Sequence, residues 1–205
     1  MNSPAAPLFS VRGLTKHFDG IKAVDSLSFD VAEGSITGII GPNGAGKTTV
    51  FNIVTGLYRP TAGSVLFRGE SITGLRPDRV VRRGIARTFQ NIRLFNRRSC
   101  LDNVMTPLFQ RERCSFLGSL LGTPPTRRTE RELRERAVGL LQVLGLERFA
   151  STQADNLPYG FQRKLEIARA LATEPSLLLL DEPAAGMNPE ENWRLADLIA
   201  EVRER

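Results

Sequence analysis

The sequence predicts an α/β fold: a mixed, mainly parallel sheet core with an antiparallel β subdomain and an inserted helical subdomain. Three observations predict it. An apolar run, "SITGII" at 35–40, leads into a Gly-rich loop and then a helix. A second apolar run, "SLLLLDE" at 176–182, ends in two carboxylates. Between the two, the texture changes from alternating strands to Arg-rich helical segments. Short apolar runs bounded by turn signals are the mark of strands buried in a parallel sheet.

The elements follow in order. Residues 8–12, 25–32 and 64–68 read as strands; "SLSFDV" alternates with period two, and "SVLFRG" follows the turn "YRPTAG". The run at 35–40 reads as a buried parallel strand, and the helix opening at Lys47 is expected to stop near Gly56. "GIARTF" at 84–89 reads as a further strand. Ser99, with Asp102 three residues on, caps a helix. Thr129 and Glu132 open another that runs to Leu144 and stops at Gly145. Residues 110–127 are rich in Arg, Gly and Pro around a short apolar knot, "FLGSLL", expected to pack within the helical part. "LPYGFQRKLEIARAL" at 157–171 is a tight turn followed at once by a basic amphipathic helix. Asn188, Pro189 and Glu191 supply a cap, a first-turn Pro and an acid for the last helix. The expected organisation is a core with its β subdomain at 1–94, a helical subdomain at 95–160 and a return to the core at 161–205.

Composition limits the function classes. The 205 residues suffice for one ordinary domain, with or without a small subdomain, and 41% hydrophobic residues suffice for a packed core. The opening "MNSPAAPLFS" lacks the charged and apolar regions of a secretory leader, and no window approaches the roughly 18 apolar residues that cross a bilayer. Cys100 and Cys114 lack metal-ligand spacing and read as free thiols of a reducing compartment. The net charge of +6 is uneven: from Arg76 to Arg136 there are 15 Arg and no Lys against 6 acids, a net of +9. A solvated face, an anionic membrane surface and nucleic acid all stay open as readings of that patch. No aromatics interleave the arginines as base-stacking requires, and nucleic acid is not the expected partner.

"GPNGAGKT" from Gly41 to Thr48 fits G-x-x-x-x-G-K-[ST] and lies between an apolar run and a helix, where such a loop must lie. Backbone N–H groups and a helix N-terminus then face phosphate oxygens. Lys47 is expected at the β- and γ-phosphates and Thr48 on Mg²⁺. Asp181 is a second candidate metal ligand, and Glu182 beside it a candidate general base for water.

These motifs together resemble the ABC-type ATPases, over nearly the whole chain. The resemblance implies a head-to-tail dimer in which the Gly turn before the helix at 161–171 faces the γ-phosphate held by the other subunit. It implies ATP and Mg²⁺ as cofactors. Phe18, in "KHFDGIKAV", stands where an aromatic stacks on adenine. Gln90, in "ARTFQN", stands where a Gln senses Mg²⁺ and couples to the transporter. The residues expected at the nucleotide are Phe18, Val24, Gly41, Asn43, Gly44, Ala45, Gly46, Lys47, Thr48 and Thr49, with Tyr159, Gly160, Phe161 and Gln162 on the partner's nucleotide. Thr48, Gln90 and Asp181 are the expected metal ligands, and Glu182, Lys47 and Gln90 the catalytic set.

The signature departs from the common L-S-G-G-Q: Tyr159 replaces the first Gly, Pro158 lacks a backbone donor and Phe161 lacks a hydrogen-bonding side chain. With "LEIARAL", "DEPAAGMNP" and the Arg-rich insert, it is similar to the G-type ATP-binding subunit of high-affinity branched-chain amino-acid importers; related urea or amide importers share much of it. The implied partners are two membrane permeases, a second ATP-binding subunit (a paralogue or another copy) and, indirectly, an external solute-binding protein. The implied location is peripheral, on the cytoplasmic side of the inner membrane. Two other readings stand beside this one: a soluble ATPase acting on nucleic acid or ribosomes, and a non-catalytic nucleotide-gated dimerisation module. The family's γ-phosphate His has no counterpart, since the only His is His17. The chain stops one helix after Asn188, so a truncated chain that binds ATP better than it hydrolyses it is the expectation.

Overall fold

The computed structural model describes residues 6–111 and 124–204. The apolar knot at 115–122, Cys114 and part of the Arg-rich insert lie outside the described residues. The chain divides into two compact units, residues 1–83 with 196–205, and residues 84–195.

In the first unit, β1 (Phe9–Phe18), β2 (Ile21–Val31), β3 (Ala62–Phe67) and β4 (Glu70–Ser71) form one antiparallel sheet in the order β2-β1-β3-β4. β1 and β2 extend beyond the expected 8–12 and 25–32. Asp19 and Gly20 both take positive φ, the two-residue turn that matches strand twist, and Phe18 pairs with Ile21 across it. Backbone pairing from this turn carries both strands through exposed positions where side-chain alternation gives no signal. Phe9, Val11, Leu14, Val65 and Phe67 are buried in the sheet, and α1 (Lys47–Val54) buries Val50, Ile53 and Val54. α1 stops as expected: Leu57 N–H reaches Asn52 O at 2.8 Å and Gly56 N–H reaches Ile53 O at 3.0 Å, a Schellman close. A short helix, α2 (Pro77–Arg82), follows.

One expected element does not form. Residues 35–40 are not a strand, and Ile36 and Ile40 are 58% and 96% exposed. A parallel strand takes all its hydrogen bonds from non-local neighbours. Among the described strands none pairs with 35–40, so the apolar run alone does not make it one.

In the second unit, β5 (Ile85–Arg87) pairs in parallel with β6 (Leu177–Leu179), residue 85 opposite 177 and 87 opposite 179. β6 is half-buried rather than fully buried, because it belongs to a sheet of two strands. Three helices pack together: α3 (Cys100–Arg111), α4 (Pro124–Val143) and α5 (Tyr159–Leu171). α3 buries Leu101, Val104, Met105 and Leu108, and α4 buries Leu133, Ala137 and Leu141, both at helical spacing. Ser99 caps α3 as expected, its Oγ accepting the Asp102 N–H at 3.0 Å. α4 begins five residues before Thr129, because prolines fit the first turn, where no intrahelical N–H is required. It closes at Gly145 with Leu146 N–H on Leu141 O at 2.7 Å. The last helix, α6 (Pro189–Glu204), opens with a full capping box: Glu191 N–H donates to Asn188 Oδ1 at 2.9 Å, and Asn188 N–H to Glu191 Oε2 at 3.0 Å.

Candidate functional site

The phosphate loop in the first unit is drawn around its own lysine. Lys47 Nζ donates to the carbonyls of Gly41 at 2.7 Å and Pro42 at 2.9 Å, which holds the ammonium inside the bend. Gly46, at φ +87°, is the N-cap of α1, and no side chain caps this helix end. No acid lies in its first turn either, so the protein leaves the positive end of the helix uncompensated, as an anion site requires. A Cβ at Gly46 would lie 2.1 Å from Ala23 O and 3.3 Å from Val24 Cγ2. Val24 is thus a buried support beneath the loop, 7% exposed. Gly44, Asn43, Ala45, Thr48 and Thr49 stand on the loop and first turn, with Thr48 exposed.

Phe18, at the end of β1, is 38% exposed and meets Tyr58 edge-on with ring centroids 5.4 Å apart. Lys16 Nζ lies 4.8 Å from the Phe18 centroid and donates to Arg59 O. Tyr58 has only a weak sequence signal, an aromatic just before the turn "RPTAG".

The second unit gathers Gln90, Asp181, Glu182 and the signature turn. Asp181, just beyond β6, is 3% exposed, and Arg87 Nη2 donates to its Oδ2 at 2.8 Å. Register places Arg87 there, because β5 pairs residue 87 with Leu179 and Thr88 N–H continues onto Leu179 O at 3.0 Å. Glu182 takes a left-handed φ of +46°, a conformation a non-Gly residue holds only when its surroundings impose it. That turn swings its carboxylate into solvent, where Gln90 Nε2 donates to Glu182 Oε2 at 3.0 Å.

The signature turn is the start of α5. Pro158 is its N-cap, a place where a missing N–H costs the helix nothing, and its carbonyl accepts Phe161 N–H at 2.9 Å and Gln162 N–H at 3.0 Å. The N–H groups of Tyr159 and Gly160 stand at the open end of the helix, which again has no side-chain cap and no first-turn acid. Tyr159 Oη donates to Ala185 O at 3.1 Å, tying the turn to the loop after the carboxylates. The Phe161 ring faces Phe149 at 4.9 Å, and Gln162 Nε2 donates to Leu157 O at 2.9 Å, so both of these side chains have partners inside the second unit. Glu191 Oε1 would lie 3.0 Å from a Cβ at Gly160, so a larger residue there would have to displace that carboxylate.

Beneath these groups lies a pair that sequence reasoning missed. Arg163 is fully buried; its Nη1 binds Glu166 Oε2 at 2.8 Å. The visible signal was two opposite charges three apart on the helix stripe that also carries Ile167 and Ala170.

The donor set suits Mg²⁺. Thr48 in the first unit, and Gln90 and Asp181 in the second, each carry an oxygen donor (hydroxyl, amide, carboxylate) of the hard kind that Mg²⁺ takes. Among the described residues, no group of three or more His, Cys, Asp or Glu gathers as a metal cage of its own.

Comparison with known proteins identifies the family. The family model described as ABC transporter matches residues 24–185. The chain is 46% identical over 197 residues to "High-affinity branched-chain amino acid transport ATP-binding protein LivG" of Escherichia coli (strain K12), covering 96% of this chain and 77% of the relative. It is equally identical, with the same coverage, to the BraF protein of that description from Pseudomonas aeruginosa. Among solved structures, the ADP conformation of MJ1267, an ATP-binding cassette of an ABC transporter, superposes with a TM-score of 0.83 at 31% identity, covering 98% of this chain and 78% of that one. The dimeric post-hydrolysis state of the cassette MJ0796, bound to ADP and Pi, gives 0.79 at 28% identity, over 96% and 83%. The phosphate loop, the strand-end carboxylates and these likenesses converge: the chain belongs to the ABC transporter family, as a LivG-like ATP-binding subunit.

Proposed function

We propose that the protein is the ATP-hydrolysing motor of an importer for branched-chain amino acids, peripheral to the cytoplasmic face of the membrane. Two membrane permeases and a second ATP-binding subunit, a paralogue or another copy, complete the machine, with an external solute-binding protein delivering the solute. The solute assignment is supported by relatives named for branched-chain amino-acid transport. The peripheral location is supported by the absence, among the described residues, of a helix long and apolar enough to cross a membrane.

In this reading Lys47 and the amides from Gly41 to Thr49 bind the triphosphate, while Phe18 stacks on adenine. The open N-terminus of α5, with the N–H groups of Tyr159 and Gly160, binds the γ-phosphate held by the partner subunit. Thr48, Gln90 and Asp181 would hold Mg²⁺, which neutralises phosphate charge. Glu182 orients the attacking water and takes its proton on the carboxylate. The observation that carries the reading is the 3.0 Å hydrogen bond from Gln90 to Glu182, because it links the base directly to the residue that faces the transporter. A change at Gln90 then changes the aim of Glu182, which is what coupling of transport to hydrolysis needs.

The test is Glu182→Gln in the chain assembled with its permeases in vesicles. ATP binding is expected to persist while hydrolysis falls by about 10²–10⁴, and leucine uptake falls with it. Hydrolysis at the wild-type rate would refute the role of Glu182. Vesicles that hydrolyse ATP but never accumulate leucine, isoleucine or valine would refute the solute.

A further inference from the structure

We propose that the buried Arg163–Glu166 pair is a positioning device that ties the signature helix to the backbones of both Gln90 and Glu182; the inference rests on the ATPase reading above. Arg163 Nη1 donates to Phe89 O at 2.6 Å, and its Nη2 to Gln90 O at 3.3 Å and to Glu182 O at 3.0 Å. Glu166 completes the clamp: its Oε1 accepts Phe89 N–H at 3.2 Å and Arg93 N–H at 3.4 Å. One ion pair thus grips the main chain on both sides of the Gln90–Glu182 hydrogen bond.

The pair stands one helical turn beyond Gly160. Three residues along α5 span about 4.5 Å, so a displacement of the open helix end by a bound phosphate reaches Arg163 without a flexible step. The planar fork of a guanidinium can bridge several carbonyls at once; an ammonium cannot. Stability alone does not account for the arrangement. A buried ion pair is often replaceable by apolar residues of similar volume with little loss, and here Arg163 Nε has no hydrogen-bond partner among the described residues. What apolar residues cannot do is hold three carbonyls and two N–H groups at fixed positions. Arg163 and Glu166 touch none of the reacting groups through their own chemistry; they act through the backbones they hold.

The experiment is the double substitution Arg163→Met with Glu166→Leu in the full chain assembled with its partners. The thermal midpoint is expected within a few degrees of wild type, and the Kd for ATP within about threefold. kcat is expected to fall by about 10²-fold, the usual cost of a small misplacement of catalytic groups. Amide exchange at Phe89 and Arg93, whose acceptor is removed, should quicken while global stability is kept. A merely structural pair predicts the reverse: the apolar double variant restores kcat along with stability, and that result overturns the proposal. If the double variant does not fold, Arg163→Lys is assayed instead. It keeps the charge but not the fork, so a kcat at least about tenfold lower at unchanged Kd supports the proposal, and a wild-type kcat overturns it. An assembled wild-type protein that hydrolyses no ATP sinks the proposed function itself, and this inference with it; an active wild type matched by the double variant sinks this inference alone.

Discussion

Replacing Gly46 with Ala tests the phosphate loop most directly, and Gly44→Ala is its internal control. Both glycines hold a left-handed φ, +87° and +83°. Forcing an L side chain into that region costs about 1–2 kcal/mol at either position. The surroundings differ. A Cβ at Gly44 meets nothing within 4 Å, whereas at Gly46 it would lie 2.1 Å from the Ala23 carbonyl oxygen. Backbone, not a flexible side chain, must therefore yield by about 1 Å, and overpacking of that kind adds about 1–3 kcal/mol. The shared strain cancels in the difference between the variants, which isolates the collision. For a chain of this length 1 kcal/mol corresponds to about 2–4 °C in midpoint, so Gly46→Ala should unfold about 2–12 °C below Gly44→Ala. The collision shifts the N-terminus of α1, so ATP affinity should fall by a further fivefold to about 10² in the same comparison. Thermal unfolding with and without Mg-ATP reads both effects. Equal midpoints and equal ATP affinities for the two variants would show that Ala23 does not confine the loop.

Tyr159→Phe removes one hydroxyl that donates to Ala185 O. A net loss of about 1 kcal/mol should quicken amide exchange at Ala185 and Met187 about fivefold; unchanged exchange would mean the bond does not restrain that loop. Burial pushes the Cys100 thiol from its ordinary 9.0 up to about 11. The folded protein therefore keeps this proton while the unfolded chain releases it. Its contribution to stability is full below pH 9 and is lost as pH rises towards 11. Cys100→Ala should show a shallower fall in thermal midpoint over that window, and an unchanged slope would contradict the buried thiol.

The sequence by itself determined what is local. The phosphate loop, the caps at Ser99 and Asn188 and the Gly stops of α1 and α4 are written within five residues of where they act, because backbone donors are satisfied by near neighbours. The apolar run before Asp181 and Glu182 marked a strand end, although β6 takes its backbone partners from the distant β5. Tertiary structure alone decided the rest. Whether 35–40 pairs as a strand depends on distant neighbours, and apolar content is silent about them. Arg87 meets Asp181 across 94 residues, and Arg163 meets Phe89 across 74. Contacts of that span cost chain entropy that only the packed fold repays, so a buried guanidinium and an exposed one look alike until the carbonyls that surround it are in place.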